Sequence, residues 1–125
     1  MKMEPVVSGY TTVITAYGDG GFTVAGERRP GSILLMPESV APWTVTDFDG
    51  LTIDSLDTIL EHADNIEILI VGTGDRPALL SPDLREHFKS RGVSIEAMAT
   101  GPACRTYNVL LAEHRLVAAA LIAVE

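Results

Sequence analysis

One cysteine, Cys104, stands in 125 residues. A lone thiol excludes an intramolecular disulfide framework and a cysteine-built zinc site. Bases are also scarce: nine Lys and Arg face seventeen Asp and Glu, for a formal net charge of −8. Phosphate neutralisation needs clustered bases, so a broad nucleic-acid surface is excluded and an anionic membrane surface is disfavoured. The longest apolar run, residues 116–124, falls far short of the roughly 20 residues that a spanning helix needs. Met1-Lys2-Met3-Glu4-Pro5 lacks the apolar stretch and small-residue cleavage pattern of a signal peptide, and it is not an Arg-rich transit sequence. A cytoplasmic chain with no direct membrane insertion is expected. Repeats and low-complexity segments are absent. His62, His87 and His114 share no metal-ligand spacing, so no metal and no cofactor is expected.

What is present reads as a folded protein. Apolar residues make up 46% and charged residues 21%, the balance of an ordinary globular chain. The length suits one core and one domain, residues 1–125, with residues 1–9 loosely held. The first half is rich in glycine and β-branched residues. Residues 11–17, 22–24 and 32–36 read as strands, with Gly18-Asp19-Gly20-Gly21 as a tight turn. Pro37, Pro42 and residues 44–50 read as a loop around Trp43. From residue 51 helix and strand alternate. Leu56, Ile59, Leu60 and Ala63 keep helical spacing, with Asp54 as N-cap. Residues 66–71 form a short apolar strand. Ser81 caps a helix that opens at Pro82 and stops at Gly92. Residues 93–97 make another strand, and Thr100-Gly101-Pro102 opens a helix running to about Glu113. Residues 116–124 close the chain as a central strand. The expected fold is therefore α/β, with helices packed on a parallel or mixed sheet and an antiparallel N-terminal portion.

Topology points to one candidate site. If the strands ending at Val71 and Ala97 are parallel, the loops after them leave the same sheet edge. Open α/β sheets bind ligands at that edge. The residues concerned are Gly72, Thr73, Gly74 and Arg76 in one loop, with Thr100, Gly101, Cys104, Arg105 and Asn108 around the other. The start of the second helix offers free N–H groups and a favourable dipole for an anion. The bland reading is that the glycines simply make turns. The pattern is neither a complete dinucleotide fingerprint, since Pro77 stands at the third glycine position, nor a Walker A loop. Cys104 in the first helical turn beside Arg105 is either a low-pKa thiol or a small buried side chain. Asp47, Asp49, Asp54 and Asp57 form an acidic group without the full oxygen pattern of a calcium loop. Trp43 is either a surface anchor for a partner or part of the core.

Two blocks carry a family resemblance. The first runs from Ile68 through Val71-Gly72-Thr73-Gly74 to Pro77. The second joins Gly92-Val93, Glu96, Met98 and Thr100 to Ala103-Cys104-Arg105-Thr106-Tyr107-Asn108 and to Glu113 and Arg115. Together they resemble the small domain shared by the third mitochondrial respiratory complex I assembly factor and the adipogenesis-associated domain protein. The resemblance spans residues 10–124. It implies a bacterial member with a three-layer α/β fold and a mixed central sheet. It also implies a protein-binding, assembly-factor-like role with no catalytic residues to carry over. The partner is then an unknown protein, with subunits of a membrane complex among the candidates. The alternative is a small anionic ligand, or an unrecognised enzyme site, at the two glycine loops. An open sheet edge would also permit a homo-oligomer.

Overall fold

A computed structural model describes residues 12–125. The expected loose segment 1–9 and the first residue of the expected strand 11–17 lie outside the described residues.

Turn chemistry builds the N-terminal sheet. Strands β1 (Ile14–Gly18), β2 (Gly21–Val24) and β3 (Glu27–Pro30) form an antiparallel sheet in that order. The β1–β2 turn has Asp19 at φ 54° and Gly20 at φ 78°, and the β2–β3 turn has Ala25 at φ 48° and Gly26 at φ 85°. Positive φ at both central residues marks the primed hairpin turns whose twist matches paired strands. Arg28 Nη2 donates to the carbonyls of Gly18 and Asp19 at 3.0 and 2.8 Å, tying β3 across the first turn. β3 was not expected. Its sequence, Glu-Arg-Arg-Pro, is charged because it is an exposed edge, and edge strands favour charge and proline.

The second sheet has five strands in the order β5-β4-β8-β6-β7. These are β4 (Ile33–Met36), β5 (Ser39–Pro42), β6 (Ile68–Gly72), β7 (Ser94–Met98) and β8 (Val117–Leu121). β8 runs antiparallel to β4 and parallel to β6, and β6 is parallel to β7. The mixed sheet, with its apolar last strand near the centre, matches the expectation. β5 corrects it, because that segment was expected to be loop. It sits at the edge, where Pro42 removes no ladder hydrogen bond.

Period-two alternation supplies both faces of this sheet. In β8, Ala118 and Ala120 face one core cluster, while Val117, Ala119 and Leu121 face the other. On the first face lie Leu56, Ile59 and Leu60, together with Leu84 and Phe88 of α2 (Pro82–Ser90). On the second lie Cys104, Tyr107 and Leu111 of α3 (Thr100–Ala112), with Ile14, Phe22 and Val24 of the small sheet. The result is three layers. α2 begins as expected: Ser81 Oγ accepts from Leu84 N at 3.2 Å, and Pro82 holds a first-turn position.

The segment after residue 51 departs from expectation. In place of one helix capped by Asp54 there are 3₁₀ turns at Asp54–Leu56 and Ala63–Asn65, separated by a single α-turn, α1 (Asp57–Leu60). Asp54 makes no cap. Instead Thr52 and Ser55 bond each other's backbone, with Ser55 Oγ donating to Thr52 O at 2.6 Å. Such local side-chain bonds compete with a continuous helix. The apolar residues still reach the core, so their spacing reported burial faithfully and overstated regularity.

Candidate functional site

Parallel pairing brings three strand ends together. Gly72 is in register with Met98 on one side and with Leu121 on the other. The loop after β6 and the start of α3 therefore share one edge, as the topology predicted. Gly72 is glycine because α3 comes close. A Cβ there would lie 2.9 Å from Thr100 Oγ1 and 3.0 Å from Leu121 Cδ2, inside ordinary contact distance.

The polar atoms at this edge are engaged with one another. Buried Thr100 donates its hydroxyl to Ile122 O at 2.7 Å and accepts from Gly74 N at 3.0 Å. Thr100 N donates to Gly74 O at 2.9 Å. Thr73 Oγ1 lies 2.6 Å from Arg76 O and 3.1 Å from Met98 O, and Thr73 N donates to Met98 O at 2.8 Å. Pro102 has no N–H to offer. The opening of α3 thus has little left for an anion: of residues 100–102, Gly101 alone brings an N–H that is neither missing nor donated to Gly74 O. The two loops form a hydrogen-bonded knot that seats α3 on the sheet.

The nine candidate residues fall into four places. Gly72, Thr73, Gly74 and Thr100 make the knot. Thr73, Gly74 and exposed Arg76 also line a hollow of about 390 Å³, with Asp47, Phe48 and Ile122 opposite. Gly101 and Arg105 belong to Tyr17: a Cβ on Gly101 would meet Tyr17 Oη at 2.7 Å, and Arg105 Nη1 donates to that oxygen at 3.3 Å. Cys104 and Asn108 are buried in the second core cluster or beside it. Asn108 bonds the backbone of β1 like a neighbouring strand, with Oδ1 accepting from Ile14 N at 3.0 Å and Nδ2 donating to Ile14 O at 2.7 Å. Phe48 and Ile122 were not singled out from sequence, and Asp47 entered only through the acidic group. They reach the hollow through a loop and the end of β8, and no local pattern marks them.

Two open alternatives take the inward side. Burial pushes the Cys104 thiol up to about 12, outweighing the opposing pull of Arg105. The low-pKa reading therefore gives way to the buried one. Trp43 is 6% exposed and packs in the first core cluster, with Nε1 donating to Ser55 O at 2.8 Å. It pins the turns at 52–56 from within, and the surface-anchor reading falls. Among the described residues, no helix is long and apolar enough to cross a membrane.

Known proteins share this fold. The chain is 36% identical over 109 residues to NADH dehydrogenase (ubiquinone) 1 alpha subcomplex assembly factor 3 of Xenopus tropicalis, covering 87% of this chain and 60% of that protein. It is 38% identical to an uncharacterised protein of Rhodobacter capsulatus, covering 87% of this chain and 82% of the other. It therefore spans about 60% of the length of the assembly factors it matches. A crystal structure described as an outer membrane protein from Bartonella henselae superposes with a TM-score of 0.86 at 39% identity, covering 94% of this chain and all of that one. Residues 14–122, which run from β1 to just past β8, match the family described as "Protein of unknown function (DUF498/DUF598)", and the chain belongs to that family.

Proposed function

We propose that this chain is a non-catalytic protein-binding module that helps assemble a membrane-associated respiratory complex from the cytoplasmic side. The observation that carries the reading is the 36% identity with assembly factor 3 across 87% of the chain. The chemistry of the strand-end knot supports it. Thr73 and Thr100 bond internally, Cys104 is buried with a raised pKa, and Asn108 serves β1. A nucleophile needs an accessible, activated group with a base beside it, and none of these residues is one.

A second reading draws on Arg76, which lines the hollow beside Thr73 and Gly74 as its one base. A small anion could sit there, opposed by Asp47 and Asp75 in the same walls. That opposition makes it the weaker reading.

The test is affinity purification of the tagged chain from native extract, membranes included, with proteins and small molecules identified by mass spectrometry. Reproducible recovery of respiratory-complex subunits, lost from an untagged control, is the expected result. Recovery of a bound anionic metabolite with no protein partner would overturn it in favour of the hollow at Arg76.

A further inference from the structure

Among the described residues three large hydrophobic side chains are exposed, Leu79, Val109 and Leu116, and Leu79 is the most exposed of them. Leu79 is 90% exposed, while its neighbour Leu80 is buried at 6%. A single exposed leucine is ordinary. This one borders a second hollow of about 250 Å³, walled by Phe48, Leu51, Ile53 and Leu84 as well. The first three are half-buried, so apolar surface is open to water there.

Hydrogen bonds brace both sides of the hollow. The Thr52–Ser55 bonds and the Trp43 indole hold one side, and the Ser81 cap on α2 holds the other. Thr73 Oγ1, by bonding Arg76 O, closes the turn that leads to Leu79. A preformed hollow takes a guest at lower ordering cost than a flexible one.

Charge specifies the guest. Residues 30–75 hold nine acids and neither Lys nor Arg. All nine acids are exposed. The rest of the chain, with eight acids and nine bases, is nearly balanced, so this stretch carries the net charge of −8. Asp49 adjoins Phe48, Asp54 adjoins Ile53 and Asp83 adjoins Leu84. None of these three carboxylates makes an ion pair among the described residues. No base lines this hollow. A second copy docking face to face would bring these acids against themselves, since a twofold contact uses the same patch twice. A basic segment would neutralise them.

We infer that the hollow at Leu79 takes an apolar side chain from a partner-protein segment flanked by Lys or Arg. This rests on the protein-binding reading above and names the surface and chemistry of the contact. Leu79 and the hollow supply contact area, and the acids supply orientation and rate of approach.

The test is a nitrogen-15 NMR titration with three synthetic peptides of equal length: leucines flanked by lysines, leucines flanked by glutamates, and serines flanked by lysines. The Leu–Lys peptide is expected to shift amides of residues 48–54 and 79–84. The other two should bind at least about tenfold more weakly. L79S and the double variant D49K/D54K should each weaken the Leu–Lys peptide by about tenfold, and their unperturbed spectra elsewhere would report an intact fold. Equal binding of the Leu–Glu peptide, shifts confined to other surfaces, or concentration-dependent self-association mapping to the same amides would overturn the inference. L79S in the native purification separates the two claims. If L79S recovers respiratory subunits as well as the unaltered chain does, this surface fails and the assembly reading stands. If neither protein recovers them while the peptide still maps to Leu79, the assembly reading fails and the surface stands.

Discussion

Cys104 and Tyr107 sit one helical turn apart on the buried face of α3, and burial pushes both up to about 12. Tyr107 keeps one polar contact, donating its hydroxyl to Thr12 Oγ1 at 2.8 Å. In the unfolded chain the thiol loses its proton near 9.0 and the phenol near 10.0. Between those values and 12 the folded chain keeps protons that the unfolded chain has lost. On account of these two groups stability is unchanged below about pH 9 and falls as pH rises toward 12, by about 1.4 kcal/mol per pH unit for each group. Urea unfolding at several pH values should show the fall starting near pH 9. C104A should move its onset to near pH 10, where Tyr107 alone contributes. An unmoved onset would mean that the thiol is more accessible than its packing indicates. At this scale the sequence was legible in part. Cys104, Trp43 and Asn108 were found as residues worth explaining, but a single position does not state which way a side chain points. Asn108 illustrates the gap: nothing near it in sequence announces that its amide pairs with Ile14, ninety-four positions away.

Elements were legible where the pattern was strong. The Ser81-Pro82 helix start, the apolar strands β6 and β8 and the turn at Gly18–Gly21 follow from local chemistry alone. The misses share a cause. β3 and β5 lie at sheet edges, where no apolar face is required, so charge and proline disguise them. The turns over residues 54–65 keep helical spacing of buried residues without one continuous run of α-helical hydrogen bonds. The β2–β3 turn carries a local conflict that is open to test. Ala25 adopts φ 48° before Gly26 at φ 85°. A left-handed backbone costs alanine more than asparagine, and Asn-Gly is the preferred pair for this turn type. Ala25 is exposed, so an asparagine there meets no packing limit. Ala25→Asn should raise stability by about 0.5–1 kcal/mol, read as a higher midpoint in thermal or urea unfolding. A lower midpoint would show that the turn relaxes by some route other than φ.

The whole molecule carries its charge unevenly, and salt should therefore act on it in two directions. Nine exposed acids without a base between residues 30 and 75 repel one another in the folded state. Only Glu67 among them has an ion-pair partner, Arg115 at 2.6 Å, within the described residues. The Debye length is about 10 Å at 0.1 M ionic strength and about 3 Å at 1 M. Added sodium chloride should thus shorten the reach of this repulsion and raise the unfolding midpoint. An uncharged osmolyte matched for osmolality controls for general solvent exclusion. The double variant D49N/D54N removes two of these charges at exposed positions. It should be more stable than the unaltered chain at low salt and gain less from added salt. The same screening should weaken the Leu–Lys peptide at the Leu79 hollow, because the charges that strain the free protein are those that guide its guest. Stability and affinity should therefore move in opposite directions along one salt series. If the salt gain in stability is unchanged in D49N/D54N, the repulsion lies elsewhere in residues 30–75. The acids beside the hollow would then be a diffuse charge, too dilute to select a basic partner.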